Sequence, residues 1–271
     1  AIITRLNFRT FPAPPASRGF VATFPCPEDA LAFDSLVEHS PLRPASIDLL
    51  SPQLIQLFLE AEKNSPEAHG APLQEKFSAD AWHLCVSVEG TPEVCERASR
   101  EFARLSTSST AKPAQLIALS ETEGADLWHY LGQSVPVLLE AFPAAAIFKI
   151  TLLPSQTHAL LHKLHALADQ ASLLHAILAR ACGVLYFALL PPSGEHDSLS
   201  PASILRLAEA ATAIFSLSAS ERAEATLPWC PTQLKHSINI WGPPRPDLAL
   251  MRRLKSAFDP QNLFAPGRLL W

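Results

Sequence analysis

Glycine is scarce in this sequence, with 9 residues among 271. None of them forms the closely spaced glycine pattern in which backbone amides approach a pyrophosphate at the start of a helix. The sequence therefore contains no sign of a phosphate-binding loop of that type.

Positive charge is also in short supply. The formal net charge is -5, and the lysines and arginines form no dense cluster. Because proteins that bind nucleic acid need such a cluster, we predict no nucleic-acid partner. No apolar run reaches roughly 18 residues, the length that spans a bilayer, and the N-terminus lacks a signal-peptide pattern. These absences predict a cytoplasmic chain without a transmembrane segment.

Cysteine pairs with metal-binding spacing are missing as well. The cysteines are odd in number and include no C-x-x-C pair: Cys26, Cys85, Cys95, Cys182 and Cys230. Their apolar surroundings predict buried free thiols rather than disulfides, and no metal or redox motif.

Apolar residues, by contrast, make up 48% of the sequence, enough for a globular protein with a substantial core. Their spacing switches between the period of strands and that of helices, and the order of elements from about Gly19 to Leu119 recurs from about Ala145 to Leu227. Two halves with the same order predict an α+β fold built from duplicated ferredoxin-like β-α-β units. We expect their strands to form one antiparallel sheet with helices packed on one face.

The two ends of the chain differ from this repeat. Residues 1–12 alternate like a strand that begins in mid-domain, and a proline-rich linker follows to Pro15. From Trp241 the sequence runs Trp-Gly-Pro-Pro, then a helical stretch that Asp247 can cap and that Pro260 ends. We therefore expect three regions, residues 1–15, 16–240 and 241–271.

Motifs at both ends carry a resemblance to a known family. The ending Phe258-Asp-Pro, then Leu-Phe-x-Pro-Gly-Arg268, resembles the C-terminus of flavin-linked oxidases of the vanillyl-alcohol-oxidase type. Trp241-Gly-Pro-Pro is most similar to the small FAD-binding subunit of glycolate oxidases. Ile2-Ile-Thr-Arg, continuing to Arg9, is similar to the stretch that closes the family's FAD-binding domain.

This resemblance implies a role for each region of the chain. Residues 1–15 would end a truncated FAD-binding domain, residues 16–240 would form the cap, or substrate, domain, and residues 241–271 would return toward the FAD-binding domain. In the full-length enzyme, FAD would accept a hydride equivalent from a small 2-hydroxy acid such as glycolate. Electrons would then pass to an iron-sulfur subunit, with a second flavin subunit also present. The fragment alone would be inactive.

The family's catalytic residues do not carry over. Its His-x-His, Asp-x-Asn and His metal motif is absent, and Leu127-Trp128 is followed by His129 where the family has an arginine. No catalytic residue is therefore assigned. These losses favour an alternative function, a non-catalytic interaction subunit of a flavin and iron-sulfur oxidase complex. Either protein would be cytoplasmic, or held at a membrane through its partner subunits.

Lys149 matches the family lysine that precedes a Leu-Pro pair, and the resemblance implies that it binds the substrate carboxylate. A strand lysine whose ammonium simply reaches solvent is the equal alternative. Strand alternation places Lys149 on the face opposite Phe148, Ile150 and Leu152. Because those apolar residues are the better candidates for packing under helices, we predict that Lys149 lies on the helix-free face.

The resemblance also implies residues that contact FAD. These are Ile3 and Thr4 near the N-terminus, and Asn262 and Arg268 near the C-terminus. Ala265 stands where the family often has an asparagine before Pro-Gly.

Three histidines share one side of the helix predicted for residues 157–168, namely His158, His162 and His165. No carboxylate or cysteine falls at a matching spacing within that helix, so we predict exposed helix histidines and no metal site.

Overall fold

The computed structural model describes residues 4–10, 12–64, 76–192, 195, 199–243 and 246–266. The strands are β1 (Ala16–Phe24), β2 (Ser46–Leu50), β3 (Trp82–Gly90), β4 (Gln115–Leu119), β5 (Ala146–Thr151), β6 (His175–Arg180), β7 (Val184–Leu189) and β8 (Glu224–Trp229). The helices are α1 (Pro27–Glu38), α2 (Pro52–Asn64), α3 (Pro92–Ser108), α4 (Glu121–Gly132), α5 (Ser134–Ala141), α6 (Thr157–Gln170), α7 (Pro201–Ser220), α8 (Thr232–Lys235) and α9 (Leu248–Phe258). A short 3-10 turn, Pro154–Gln156, precedes α6.

All strands join one 8-stranded antiparallel sheet in the order β4-β1-β3-β2-β6-β7-β5-β8. The second half repeats the strand order of the first half in the opposite direction, and the two halves meet where β2 pairs with β6. The predicted α+β fold with duplicated ferredoxin-like units is therefore confirmed. Antiparallel pairing also confirms that no doubly wound parallel sheet is present among the described strands.

One face of the sheet packs under α1, α3, α6 and α7. Strand residues that alternate toward this face, such as Phe20, Leu84 and Phe148, are 2%, 0% and 0% exposed. They form one apolar cluster with Phe33 of α1 and Ile214 of α7. This is the helix layer that the repeated pattern predicts.

The opposite face also carries helices, which corrects the expectation of helices on one face only. Apolar residues of α2, α4 and α5 form a second cluster with the alternate strand residues, including Leu54, Leu127 and Leu138 with Val21 and Ile147. Because each strand residue points to the face opposite its neighbour, Ile147 and Phe148 belong to different clusters. The second helix layer lies over the first half and the centre of the sheet.

Local differences from the sequence-based expectations have clear physical causes. No strand forms at residues 4–10 and 12, where the described chain offers no neighbouring strand for backbone pairing. The helical spacing of apolar residues from Glu121 to about Leu139 predicts one helix, but the structure has two, because the chain turns at Gln133 between α4 and α5. Asp247 precedes α9, but its side chain makes no capping hydrogen bond.

Helix α7 is the one described helix that is long and apolar enough to cross a membrane, judged by length and composition. In the fold it packs against β8 and α6. Leu207, Ala211 and Ile214 on α7 are fully buried in the cluster beneath it. This is the arrangement of a core helix in a globular fold.

Candidate functional site

Polar side chains gather on the second face of the sheet, at the edge of the layer formed by α2, α4 and α5 and beyond it. Strand register brings them together: Asp48 is opposite Arg180, and Lys149 is opposite Tyr186 on one side and Thr226 on the other. We call these five residues the polar patch. It extends across β2, β6, β7, β5 and β8, and therefore across the junction of the two halves.

Asp48 is the buried end of the polar patch. Its residue surface is 1% exposed, and neither carboxylate oxygen has a hydrogen-bond partner among the described residues. An Arg180 guanidinium nitrogen lies 3.6 Å from Oδ1, which is an ion-pair distance rather than a hydrogen bond. Burial raises the pKa of Asp48, and the neighbouring Arg180 charge and Trp128 indole offset part of that increase. A buried carboxylate with free lone pairs has capacity to accept further donors.

Close packing of α4 on β1 places Trp128 beside Asp48. A Cβ atom on Gly19 would lie 3.2 Å from the Trp128 ring, and one on Gly124 would lie 3.8 Å from the backbone of Gly19. The buried indole Nε1 of Trp128 has no regular hydrogen bond among the described residues. Ser120 starts α4 with a capping box, which fixes the direction of the helix. Trp128 thus lies beside the Asp48 carboxylate and offsets part of the increase that burial causes in its pKa, although the contact falls short of a regular hydrogen bond.

A tight turn fixes the end of β6 where Arg180 lies. Gly183 has a φ of +81°, and a Cβ atom there would lie 2.2 Å from the carbonyl oxygen of Leu152. Its own backbone accepts a hydrogen bond from the Leu152 amide at 2.9 Å and donates one to the Arg180 carbonyl at 3.0 Å. Only glycine fits this close approach without moving the backbone.

Lys149 lies on the opposite face from Phe148 and Ile150, as predicted. Those two residues are 0% exposed, whereas Lys149 is exposed. Its face is not helix-free along its whole length, because Ile147 is buried under the second helix layer. Lys149 itself extends beyond that layer, and its carbonyl accepts a hydrogen bond from Thr226 Oγ1 at 3.3 Å. None of the ion pairs between described residues involves its ammonium group.

A cleft of about 600 Å³ opens at the Asp48 and Arg180 end of the polar patch. Arg43, Ser46 and Cys182 also line it. Its volume falls within the usual range for small-molecule sites, roughly 300–1,000 Å³. The prediction that all five thiols are buried is corrected, because Cys182 is exposed here and Cys26 and Cys230 are half-buried. Cys85 and Cys95 are buried, and none of the five forms a disulfide.

The predicted FAD-contacting residues lie apart from the polar patch or outside the described residues. Ile3 and Arg268 lie outside them. Thr4 is exposed in a segment without secondary structure, and Asn262 is exposed after α9 with a φ of +52°. Neither the geometry of Thr4 nor that of Asn262 tests a contact with FAD, so both assignments stay predictions.

The chain after α9 is held by the Asp259 carboxylate. It accepts hydrogen bonds from the backbone amides of Leu263 and Phe264, each at 2.9 Å, and pairs with Lys255. Lys255 also donates to the Phe264 carbonyl at 2.6 Å. Hydrogen bonding from Lys255 is the main reason that the pKa of Asp259 falls to about 2.

We expect Asp259→Asn to loosen this turn, because the amide cannot pair with Lys255 or accept from both backbone amides equally well. Amide hydrogen exchange at Leu263 and Phe264 should be faster than in the wild type at pH 7. The pH dependence gives a second measurement. Because the pKa of Asp259 is lower in the folded turn than the value of about 3.9 in the unfolded chain, the carboxylate stabilises the turn at pH values above about 3.9, and this contribution is lost as pH falls toward 2. Exchange protection should therefore decrease between pH 4 and pH 2 in the wild type but not in the variant. Gln261→Ala, at an exposed position in the same turn, is the control, and equal exchange in both variants would contradict the assignment.

Sequence reasoning identified Lys149 but missed Asp48, Arg180 and the location of Trp128 beside them. Asp48 did give one signal, because it is the only charged residue in β2 and is flanked by the apolar residues Ile47 and Leu49. Its pairing with Arg180 depends on how the two halves join, which the sequence pattern does not specify.

Most of the chain matches a known protein family. Residues 13–187 and 244–269 match the family described as FAD linked oxidases, C-terminal domain. A search of curated protein sequences gives no significant match.

Similar solved structures share the fold at low sequence identity. p-Cresol methylhydroxylase with substrate bound has a TM-score of 0.63 and 16% identity, over 95% of this chain and 53% of that one. 4-Ethylphenol oxidase from Gulosibacter chungangensis, as an isoeugenol complex, has a TM-score of 0.58 and 14% identity, over 92% of this chain and 53% of that one. Alkyldihydroxyacetonephosphate synthase has a TM-score of 0.55 and 14% identity, over 95% and 46%. The chain thus spans about half the length of each of these proteins.

Proposed function

This chain belongs to the FAD-linked oxidase family through its C-terminal domain, and on that premise we propose that it is the cap of an FAD-dependent oxidoreductase that oxidises a small 2-hydroxy acid such as glycolate. The observation that carries the substrate class is the pair of cations, Arg180 and Lys149, on the uncovered face of the sheet. The proposed enzyme is similar to the small FAD-binding subunit of glycolate oxidase and works with a second flavin subunit and an iron-sulfur subunit.

The spacing of the two cations suits a small anionic substrate. One strand, β7, separates Arg180 on β6 from Lys149 on β5, which sets their strands about 10 Å apart. Their registers differ by two residues, so the two Cα atoms are roughly 12 Å apart. Long side chains reaching from opposite sides can both contact one carboxylate and its neighbouring hydroxyl between them.

Four residues of the polar patch have distinct parts in this proposal. Lys149, which makes no ion pair with a described residue, binds the substrate carboxylate. Arg180 keeps most of its five N–H donors for the substrate while Asp48 anchors one of its nitrogens. Tyr186, whose ring centroid lies 6.3 Å from that of Trp229, forms the aromatic side of the site. FAD, when bound, supplies the hydride acceptor, and the chain's own residues bind and orient the acid.

Exposed apolar side chains at the ends of the chain fit a cap that rests on a flavin-binding domain. Leu6 and Phe8 in the N-terminal segment are 61% and 78% exposed, and Phe258 at the end of α9 is 76% exposed. No residue of α9 is buried. Exposed apolar side chains concentrated in these two segments support a contact with another domain. Thr4, in the N-terminal segment, and Asn262, shortly after α9, are the proposed FAD contacts together with Ile3 and Arg268.

Anaerobic flavin reduction by the full-length, FAD-loaded protein tests the substrate class. We expect bleaching of the flavin absorbance by short 2-hydroxy acids, and none by neutral para-alkylphenols of similar size. Reduction by the phenols alone would show that the cations of the polar patch do not select the substrate.

We expect the purified 271-residue chain to be colourless. Flavin affinity in this family depends largely on a glycine-rich pyrophosphate site, and no such pattern occurs in the sequence. Absorbance between roughly 350 and 500 nm, where oxidised flavins absorb, measures bound FAD directly. A yellow preparation with stoichiometric FAD would contradict this expectation.

The second candidate function is a non-catalytic interaction subunit. It is supported by the exposed apolar surface of α9 and by the absence of the family's histidine motif. The FAD content of the assembled complex separates the two functions. Two FAD molecules per complex support a catalytic role for both flavin subunits, whereas a single FAD in the partner subunit supports the interaction role.

A further inference from the structure

Two histidines and an aspartate meet between α6 and the start of β6. Nδ1 of His165 lies 2.7 Å from Nε2 of His175, and Nε2 of His165 lies 3.5 Å from a carboxylate oxygen of Asp169. One potential ligand atom from each of the three residues lies within 4.8 Å of the others. Helix α6 continues to Gln170, so Asp169 is four residues after His165 on the same side. The sequence-based reason for excluding a metal, the lack of a carboxylate at matching spacing, was therefore wrong.

His175 is held in place within the core. It is 4% exposed, and its ring packs against Phe187 and edge-on against His165, with centroids 5.5 Å and 4.6 Å away. Its Nε2 faces His165, while its buried Nδ1 has no regular hydrogen bond among the described residues. His165 and Asp169 are exposed and free to adjust. The cluster thus combines one fixed imidazole with two adaptable ligands.

We propose that His165, Asp169 and His175 bind a divalent transition-metal ion, with Zn²⁺ as the expected ion. Imidazole nitrogens with a carboxylate oxygen are a donor set that suits zinc, and three protein ligands leave a fourth position for water. Zinc bonds of about 2.0–2.1 Å with tetrahedral angles separate two nitrogen ligands by about 3.3 Å. His165 faces His175 with Nδ1 and Asp169 with Nε2, and one zinc ion can bind only one of these two nitrogens. Binding through Nδ1 needs an opening of roughly 0.6 Å from the present 2.7 Å separation, by rotation of the exposed His165 side chain, and the exposed Asp169 side chain must turn toward the same side.

The surroundings of His175 suit a metal ligand. A metal-bound histidine usually donates its other ring N–H to a carbonyl or carboxylate. The Leu173 carbonyl lies near the His175 ring, where it can accept that N–H. Without a metal, a hydrogen bond joins Nδ1 of His165 to Nε2 of His175, with one N–H between them. This simple hydrogen bond between two histidines is the alternative that the experiment must exclude.

This site is separate from the polar patch. His175 and Arg180 are at opposite ends of β6, five residues apart, which corresponds to about 16 Å. They also point to opposite faces of the sheet, because His175 contacts Phe187 of β7, which points toward the first helix layer. Zinc here would join α6 to β6 and take no part in substrate binding.

Metal titration of the untagged, chelator-treated chain tests the proposal. Isothermal titration with ZnCl₂ should give one ion per chain, and Zn²⁺ should raise the melting temperature. Co²⁺ should give visible absorption typical of a tetrahedral nitrogen and oxygen site. His165→Ala should abolish both effects, and Asp169→Asn should weaken zinc binding at least about tenfold, the loss seen even for partners outside the ligand shell.

His158→Ala and His162→Ala are matched controls, because both residues are exposed histidines on α6 outside the cluster. Both variants should bind zinc like the wild type. The His165→Ala and Asp169→Asn changes are at exposed positions, so loss of folding does not obscure the result, and circular dichroism of each variant verifies this. Absence of zinc binding in the wild type, or equal loss in His162→Ala and His165→Ala, would overturn the proposal.

Discussion

Asp34→Asn should stabilise the protein at pH 8 and leave its stability near pH 4 almost unchanged. Asp34 lies on α1 beside a cavity of about 30 Å³, the size of one water molecule, that Pro154 and Thr157 of the second half also line. One of its carboxylate oxygens is buried without a hydrogen-bond partner among the described residues. Burial raises the pKa of Asp34 to about 7, and the negative charge of Glu38 adds to the increase.

The sign of the effect follows from where the proton is held. Between about pH 4 and pH 7 the unfolded chain has an ionised Asp34 while the folded chain keeps it protonated. Folding then takes up a proton, so the free energy of unfolding falls as pH rises through this range and stays low above it. The interval from 3.8 to about 7 corresponds to at most about 4 kcal/mol. Because Asp34 is partly open to solvent, we expect a gain of about 2–3 kcal/mol for Asp34→Asn at pH 8.

Urea unfolding at pH 4.5 and at pH 8 measures this difference. The matched control is Glu28→Gln, at an acid in the first turn of the same helix. Glu28→Gln should lower the free energy of unfolding slightly, because an acid in the first turn interacts favourably with the helix N-terminus. A gain from Asp34→Asn that is equal at both pH values would contradict a buried proton on Asp34.

The duplicated fold could be predicted from the sequence because each half shows its own periodicity. Strand β3 alternates apolar residues such as Leu84 and Val86 with their neighbours, and α3 starts at Pro92 immediately after Thr91. These local patterns also explain why the order of elements within each half could be predicted, since a repeated β-α-β order allows few antiparallel topologies.

Two features could not be predicted from local patterns. The apolar side of α2, α4 or α5 indicates that the helix packs on something, but not which face of the sheet it covers. Residues 1–12 alternate as a strand does, yet the described part, residues 4–10 and 12, forms no strand, because alternation alone does not supply a neighbour to pair with. Both features are decided by tertiary contacts that lie far apart in the sequence.

The residues of the candidate site likewise divide into those that local patterns predict and those that tertiary contacts bring together. Lys149 was predictable because strand alternation fixes its face, whatever its neighbours are. The Asp48 and Arg180 pair was not, because β2 and β6 meet only where the two halves join. His175 was not recognised as a partner of His165 for the same reason, since one is on a strand and the other on a helix.

In the full-length enzyme, Lys149→Ala should weaken the use of an anionic substrate far more than that of a neutral analogue. Lys149 is exposed on the uncovered face, with no ion pair to any described residue. Among the described residues, therefore, no carboxylate competes with a substrate carboxylate for its ammonium group. Loss of one charge-assisted contact costs about 1.5–3 kcal/mol, or roughly 10- to 150-fold in kcat/KM.

The comparison uses a 2-hydroxy acid and its neutral amide, which differ in charge but little in shape. Lys149→Met keeps the apolar stem and removes only the ammonium, so it should reproduce the selective loss of Lys149→Ala. Thr151→Ala, at an exposed position two residues along the same strand and on the same face, is the control and should change neither substrate selectively. If the loss appears in KM with kcat unchanged, Lys149 binds the ground state and the transition state equally. An equal loss for the acid and the amide would leave Lys149 a structural residue, and the carboxylate would then have to bind at Arg180 alone.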